Sequence, residues 1–297
     1  MLTGKDGGIF QARRSLTACL RSVTIAREME DPTVPVTINP HTVTLPFGGG
    51  HLEIVDRTRL ASMVARIVIG QHLHVEMVLR GATSLASAPS EAVITAALAR
   101  LKAPHNDAAR WHRDGWVFQI ISWIAARGAG ATRTISAPHM QPTRQGFDCL
   151  YLSVEPENQC LTVCEDKATD NPRDVIRDEV FPAFKHLETG ARDAELQAEL
   201  TSLLRQGRTD EEAAALIEAV QWLDRKRYCA TVTASSKASR TPETLFRDFD
   251  THVPGDRSRR SGNIFAADAL RTWMDIFCCE IAAALVAMRS GSAPVPS

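Results

Sequence analysis

Two short apolar runs near the middle of the chain stand out in the pattern of hydrophobic and polar positions. Leu150 to Val154 and Cys160 to Cys164 have the length and composition of strands. Between them, the segment Glu155-Pro156-Glu157-Asn158 has the residues of a turn. The pattern therefore predicts a β-hairpin.

Three charged residues follow the second apolar run directly: Glu165, Asp166 and Lys167. Side chains alternate between the two faces of a strand. If the strand continues through these residues, Glu165 and Lys167 project from one face and Asp166 from the other. We therefore assign no catalytic role to Asp166.

Helical patterns flank the hairpin on both sides. Upstream, apolar residues recur at helical spacing and two glycines end the run: Trp116, Ile120, Trp123, Ile124, Gly128 and Gly130. Downstream, Asn171-Pro172 is a helix start signal, with proline at an early helical position. The hairpin is thus expected between two helices.

The rest of the chain alternates between helical and strand-like segments. We predict helices at 10–30, 90–101, 213–223 and 263–288, and strands at 34–38, 42–45, 52–55, 72–79 and 228–234. Residues 59–69 fit a helix or a strand. The polar stretch 235–262 is expected to be rich in loops.

This order of elements predicts an α/β fold, with a central mixed β-sheet flanked by helices. A segment of small residues at 83–90 indicates a boundary. We expect an α+β N-terminal region of unknown role at 1–104. A second domain at 105–297 would hold the hairpin and end in helical additions.

The candidate chemistry begins with Asp148, in the run Gly146-Phe147-Asp148 just before the hairpin. The hairpin can bring Asp148 beside Glu165 and Lys167. Two carboxylates and an ammonium at a strand end can form a divalent-metal site with a cation for a developing oxyanion. The sequence therefore predicts a metal-dependent site here.

These residues resemble the active site of the PD-(D/E)XK nuclease superfamily over roughly residues 110 to 190. The resemblance implies a restriction-endonuclease-like core and hydrolysis of phosphodiester bonds. It implies that Asp148 and Glu165 bind Mg²⁺, with Mn²⁺ as a substitute. Lys167 would orient the attacking water or stabilise the transition state by its charge.

Gln119 departs from the pattern of the superfamily, whose preceding helix commonly carries a glutamate that helps hold the metal. Glutamine can coordinate a metal through its carbonyl oxygen or orient a water, but it brings no charge. Gln119 is therefore either a fourth catalytic residue or a polar residue at the edge between helix and sheet.

Nucleic acid is the partner that the resemblance implies, and DNA is favoured over RNA. Arg173 and Arg177, on the helix after Lys167, are candidates for phosphate contacts, although solvated helix charges fit them as well. The combination is most similar to nuclease modules of bacterial anti-phage systems. Activation by an ATPase or helicase partner fits this likeness, and cleavage of both strands would favour a homodimer.

Composition supports a second hypothesis. The 297 residues are 44% hydrophobic and 23% charged, which is ordinary for a globular protein, and the net charge is −1. The chain therefore has no global basic character with which to attract nucleic acid. Neutrality and Gln119 both agree with a nuclease-fold subunit of weak or lost activity, acting in binding or assembly.

The seven cysteines show no disulfide framework, so we expect a reduced, cytoplasmic protein with no membrane partner. The strand pattern puts Cys160 and Cys164 on the face opposite Glu165, with Cys149 nearby. These are expected to be buried free thiols, although a zinc site is conceivable.

Four other groups admit a functional and an ordinary interpretation. His72 and His74 would share a strand face and could bind a metal. Gly48-Gly49-Gly50 is better explained as a turn than as a phosphate loop. The run Arg257 to Arg260 fits a phosphate-contacting loop or a solvated one. Three tryptophans fit a core better than a base-stacking surface: Trp111, Trp116 and Trp123.

Overall fold

The computed structural model describes residues 34–82, 87–102, 104, 106–130, 133–142, 146–155, 159–205, 208–222 and 225–289. The described residues belong to one compact unit. The helix predicted at 10–30, most of the turn at 155–158 and the C-terminal tail lie outside them. Among the helices in the described ranges, none is long and apolar enough to cross a membrane.

Seven strands within the described ranges form one mixed sheet in the order β1-β2-β7-β6-β5-β4-β3. Their bounds are β1 Val36–Pro40, β2 Gly50–Ile54, β3 Thr134–Ile135, β4 Cys149–Ser153, β5 Cys160–Lys167, β6 Lys226–Ala234 and β7 Arg260–Ala266. The fold is thus α/β with a mixed sheet, as predicted. Residues on both sides of the expected boundary at 104 contribute to this one sheet.

The centre of the sheet is parallel and its margins are antiparallel. β5 runs parallel to β6, β6 to β7, and β7 to β2. β1, β4 and β3 pair antiparallel with their neighbours. Because parallel neighbours end at the same edge of a sheet, the carboxyl ends of β5, β6 and β7 lie together.

In the described part of the chain, five helices cover one side of the sheet, which we call the first face. They are α1 Arg57–Val68, α2 His72–Leu79, α3 Glu91–Leu101, α4 Asp107–Gly128 and the C-terminal α11 Leu270–Arg289. Their apolar side chains pack with Cys149, Cys164, Cys229 and Phe265 of the sheet. Hydrogen bonds from the helix starts to Asp56, Ser90 and Asn106 cap α1, α3 and α4.

The opposite side, the second face, packs against helices that follow the hairpin. These are α5 Pro172–Val175, α6 Phe181–Glu188, α7 Asp193–Leu204, α8 Asp210–Ile217, α9 Pro242–Leu245 and α10 Phe249–His252. A π-helical turn at Ile176–Val180 joins α5 to α6. Pro182 follows this turn and lacks an N–H, which removes one ordinary helical hydrogen bond.

One strand prediction was wrong: His72–Leu79 is helix α2. Its buried residues include Val75 and Leu79, four positions apart, while Leu73 and Met77 are exposed at the same spacing. Burial therefore follows the helical period, although the polarity of the run alternates. His72 and His74 consequently do not share a strand face.

A second strand prediction, 42–45, was also wrong. This segment lies in the connection between β1 and β2, where Val43 is exposed and Leu45 is buried. The ambiguous run 59–69 lies almost entirely in helix α1.

The largest correction lies near the C-terminus. The predicted helix at 263–288 is instead the end of β7 followed by α11, and β7 lies between β2 and β6 in the sheet. The stretch 235–262 also contains α9, α10 and the start of β7. The polar sequence Arg-Ser-Gly-Asn at the start of β7 hides this strand, because its strand character depends on neighbours distant in sequence.

Ion pairs centred on the buried Asp114 hold the segment after β5 against α4 and α11. Arg271 of α11 donates to Asp114 of α4 at 2.7 Å and to Asp170 at 3.1 Å. Its guanidinium also donates to the carbonyl of Ala168, the residue after Lys167. Asp114 is completely buried and also accepts from Arg113. This network fixes the chain just beyond the candidate site.

Candidate active site

The register of the hairpin sets the geometry of the site. Cys149 of β4 pairs with Cys164 of β5. Asp148 precedes Cys149 and Glu165 follows Cys164, so both lie one residue beyond this pair, toward the carboxyl end of β5. The alternation that buries Leu150 and Val163 on the second face directs Asp148 and Glu165 to the same side. The two carboxylates are therefore neighbours at the carboxyl end of β5.

Two hydrogen bonds orient the Asp148 carboxylate. The backbone N–H of Asp166 donates to Oδ2 at 2.7 Å. The side-chain amide of Gln119, carried by α4, donates to Oδ1. The structure therefore brings Gln119 to Asp148, where it acts as a hydrogen-bond donor.

Lys167 lies beside Glu165, and Nζ is 3.1 Å from Oε2. Glu165 is buried and Lys167 is partly exposed. Burial lowers the pKa of the Lys167 ammonium, but the carboxylates of Glu165 and Asp148 outweigh this effect and raise the pKa. Lys167 therefore stays positively charged at neutral pH.

The surroundings of Asp148 favour its protonated form. Burial and the adjacent Glu165 carboxylate raise its pKa to about 7, against the opposing effects of Lys167 and the two hydrogen bonds. Negative charge is thus crowded at this end of β5. A cation placed between Asp148 and Glu165 would relieve that repulsion.

Comparison of the chain with protein-family models, curated proteins and solved structures gives no significant match.

The donor set of the site suits some metal ions better than others. Within the described ranges, no group of three or more His, Cys, Asp or Glu side chains is placed to hold a metal ion. Asp148 and Glu165 supply two hard carboxylate donors. Mg²⁺ commonly takes one or two protein carboxylates and completes its shell with waters and substrate phosphates. The pair therefore fits Mg²⁺, whereas a fully protein-enclosed ion would need further ligands.

Both arginines considered for phosphate contacts are bonded within the chain. Arg173 donates to the carbonyls of Leu245 and Arg247 and pairs with Asp248 at 3.3 Å. Arg177 is exposed and pairs with Asp174 and Asp178. Nucleic acid would have to displace these acidic partners or bind beside them.

Arg192 is a neighbour of the site that the sequence pattern did not indicate. It precedes α7, its guanidinium lies 4.4 Å from the centre of the Phe147 ring, and it pairs with Glu195 at 2.7 Å. Glu195 and the nearby Glu165 raise the pKa of Arg192. No motif spacing links Arg192 to the hairpin, so local reasoning could not identify it.

Asp166 projects to the first face, as predicted, and is buried there beside thiols. Cys149, Cys164 and Cys229 occupy paired positions on β4, β5 and β6. With Asp166 they line a cavity of about 40 Å³. Cys149, Cys160 and Cys164 are buried free thiols, as expected, and Cys229 is one as well.

The arginine-rich run is anchored by backbone carbonyls. Arg257 donates a hydrogen bond to the carbonyl of Phe47, and Arg260 donates one to the carbonyl of Pro46. Arg259 forms an ion pair with Glu188 at 2.6 Å. These contacts make the run a structural element of the start of β7.

The tryptophans divide between core and surface. Trp116 and Trp123 are buried, and their indole N–H groups donate to the carbonyls of His139 and Ser136. Trp111 is exposed. The core interpretation therefore holds for two of the three.

Proposed function

We propose that the chain is a metal-dependent phosphodiesterase acting on nucleic acid, with a restriction-endonuclease-like core. The observation that carries the proposal is the grouping of Asp148, Glu165 and Lys167 at one strand end, on one face of the sheet. The partial exposure of Lys167 supports access from solvent. DNA is the favoured substrate, and an anti-phage role gated by a partner extends the proposal.

Asp148 and Glu165 would hold Mg²⁺, or Mn²⁺ in its place. A divalent cation held there supplies positive charge and Lewis acidity toward a scissile phosphate. Gln119 and the Asp166 N–H keep the Asp148 carboxylate in a fixed orientation. That fixed orientation reduces the reorganisation needed when substrate binds.

Lys167 has the separate role of a fixed positive charge. Its Nζ stays near Glu165 Oε2 and remains protonated because of the two carboxylates. Placed next to a phosphate, it would donate hydrogen bonds to oxygens that gain negative charge in the transition state. It would also donate a hydrogen bond to the oxygen of the attacking water and orient that water, without giving up its proton.

A second candidate function is a binding or assembly subunit with the nuclease scaffold but weak or lost activity. The engagement of Arg173 by two carbonyls and Asp248 favours it, because that cation is then less available to a phosphate backbone. The net charge of −1 agrees with this alternative.

The deciding experiment is a cleavage assay with the purified full chain. Supercoiled plasmid, linear duplex DNA and single-stranded RNA are incubated with Mg²⁺ or Mn²⁺ and, in parallel, with EDTA. We expect metal-dependent cleavage that is lost in Glu165→Gln. The matched control is Glu199→Gln, which changes an exposed carboxylate on α7.

Cleavage that persists in EDTA, or that is equal in wild type and Glu165→Gln, would contradict the proposed site. No cleavage of any substrate, together with no metal binding, would favour the scaffold function. Metal binding without cleavage would support an intact site that needs a partner.

A further inference from the structure

A second cavity, of about 220 Å³, opens at the other end of the sheet. It lies where β5, β6 and β7 begin, whereas Glu165 and Lys167 lie where β5 ends. Thr162 lines this cavity from the first face, and Glu165 is on the second face three residues later. At the rise of a strand, three residues span about 10 Å. The cavity is therefore separate from the candidate active site.

The strand register places polar groups side by side along the floor of the cavity. Tyr151 of β4 pairs with Thr162 of β5, and Thr162 pairs with Arg227 of β6. Paired residues project to the same face of a sheet. A phenol, a hydroxyl and a guanidinium thus form one row, and Ser153 and Ser261 add hydroxyls on either side.

A second guanidinium reaches the cavity from the segment before β3. Arg133 lines it and lies over the ring of Tyr151, 5.1 Å from the centre. Arg260 also borders the cavity, but its guanidinium donates to the carbonyls of Pro46, Val253 and Gly255. Arg227 belongs to the row on the floor of the cavity and Arg133 lies above Tyr151, so these two guanidinium groups are the cations that we assign to a ligand.

The described residues that line this cavity include no aspartate or glutamate. Arginine guanidinium groups bind phosphate oxygens through paired, charge-assisted hydrogen bonds. Hydroxyl groups can donate to the remaining oxygens. The lining is thus suited to an anion with several oxygens and poorly suited to a cation.

The size of the cavity limits the ligand further. Its volume is more than ten times the ~15 Å³ that a cavity needs to hold one water molecule. A phosphate group and part of the molecule attached to it fit this space, whereas a nucleic-acid duplex does not. We propose that this cavity binds a phosphate monoester through Arg133, Arg227 and the row of hydroxyls.

The same chemical group occurs on a free nucleotide and on the 5′ end of a nucleic-acid strand. The proposal does not depend on the nuclease function, because none of the cavity residues belongs to the candidate active site. The two sites lie on the same hairpin of β4 and β5 but share no residue.

Isothermal titration calorimetry of the full chain with inorganic phosphate, at constant ionic strength, tests the proposal. We expect saturable binding that weakens at least about tenfold in Arg133→Gln and in Arg227→Gln, since each removes a charge-assisted hydrogen-bond donor. Arg133→Lys keeps the charge without the planar fork and should bind with intermediate affinity. Arg240→Gln, an exposed change beyond the far end of β6, is the matched control and should bind like wild type.

Further titrations identify the source of the phosphate. Adenosine monophosphate is compared with a short oligonucleotide carrying either a 5′-phosphate or a 5′-hydroxyl. Tighter binding of the monophosphate would identify a free nucleotide as the ligand. Tighter binding of the 5′-phosphorylated strand would identify a strand end as the ligand. Melting temperatures of all variants show whether each is folded.

Two results would overturn the proposal. One is the absence of saturable binding by phosphate and adenosine monophosphate up to millimolar concentration. The other is equal affinity for wild type and for folded Arg133→Gln and Arg227→Gln. Mn²⁺ binding in the same variants separates this proposal from the nuclease function, since the arginine changes should leave metal binding unaltered.

Discussion

The backbone N–H of Asp166 donates a 2.7 Å hydrogen bond to Oδ2 of Asp148, while the Asp166 side chain lies on the opposite face of the sheet. Strand β5 thus provides a main-chain hydrogen-bond donor at Asp166 and two side chains of the candidate site at Glu165 and Lys167. The candidate site depends on the alternation of the strand as much as on the identity of its residues.

Replacing Asp166 with asparagine should therefore leave the candidate site working. The backbone N–H stays, and burial raises the pKa of the lost carboxyl well above its usual range, which favours the neutral form that asparagine resembles. We expect Asp166→Asn to retain cleavage and metal binding close to wild type, while Glu165→Gln loses both. An equal loss in the two variants would show that the faces are assigned incorrectly.

Lys167→Met should separate catalysis from metal binding. The change removes the positive charge but keeps the length of the side chain. We expect kcat to fall by ~10²-fold or more, as for the loss of one transition-state donor. The apparent metal affinity should stay the same or rise slightly, because a competing cation is gone.

The control is Lys237→Met, which removes an exposed ammonium in the turn after β6. Metal titrations of the cleavage rate provide both quantities for all three proteins. If Lys167→Met raised the metal requirement without lowering kcat, Lys167 would have a structural role instead.

The raised pKa of Asp148 predicts how stability depends on pH in the metal-free protein. Its pKa is about 7 in the folded chain, against an ordinary value of 3.8. Between these values the folded state keeps a proton that the unfolded state has released. Stability from this group is therefore lost as the pH rises from roughly 4 to 7.

Urea unfolding in EDTA across this pH range measures the effect. The free energy of unfolding of wild type, minus that of Asp148→Asn, should fall with rising pH and level off above pH 7 or so. A difference that is constant with pH would mean that Asp148 titrates normally.

Local sequence rules were enough to group the residues of the candidate site. A short hairpin and the alternation of a strand bring Asp148, Glu165 and Lys167 together, and both features act over fewer than about 20 residues. Gln119 could be included only through the family resemblance. Arg192 could not be found, because the turn before α7 reaches the site only through tertiary packing.

The fold was less accessible where long-range contacts decide the structure. Strand β7 was missed because Gly262 and Asn263 indicate a loop by local preference. In the structure, the Gly48 carbonyl accepts from Gly262 N–H, and the Asn263 side chain accepts from Gly50 N–H. Those partners lie more than 200 residues away, so no local window of sequence contains the signal.

The close approach of the 48–50 segment to β7 predicts that two glycines differ in their tolerance of alanine. Gly49 has a φ of +102°, and a Cβ there would collide with the backbone of Gly262. Gly49→Ala should lower the free energy of unfolding by about 2 kcal/mol or more, from strain and displacement of β7.

Gly115 provides the matched comparison. It lies inside helix α4, and a Cβ there would meet nothing within 4 Å. Gly115→Ala should raise stability by up to about 1 kcal/mol, because alanine favours the helix. Urea unfolding of both variants makes the comparison, and a similar effect of the two changes would refute the close approach of Gly49 to β7.

Direct measurement of metal binding tests the central claim, that Asp148 and Glu165 form a divalent-metal site. Electron paramagnetic resonance of Mn²⁺ titrated into the full chain counts the bound ions whether or not a partner is needed for cleavage. We predict a single Mn²⁺ site in wild type that Mg²⁺ displaces. The site should be lost in Asp148→Asn and Glu165→Gln and retained in Glu199→Gln. No bound Mn²⁺, or equal binding in all four proteins, would contradict the account.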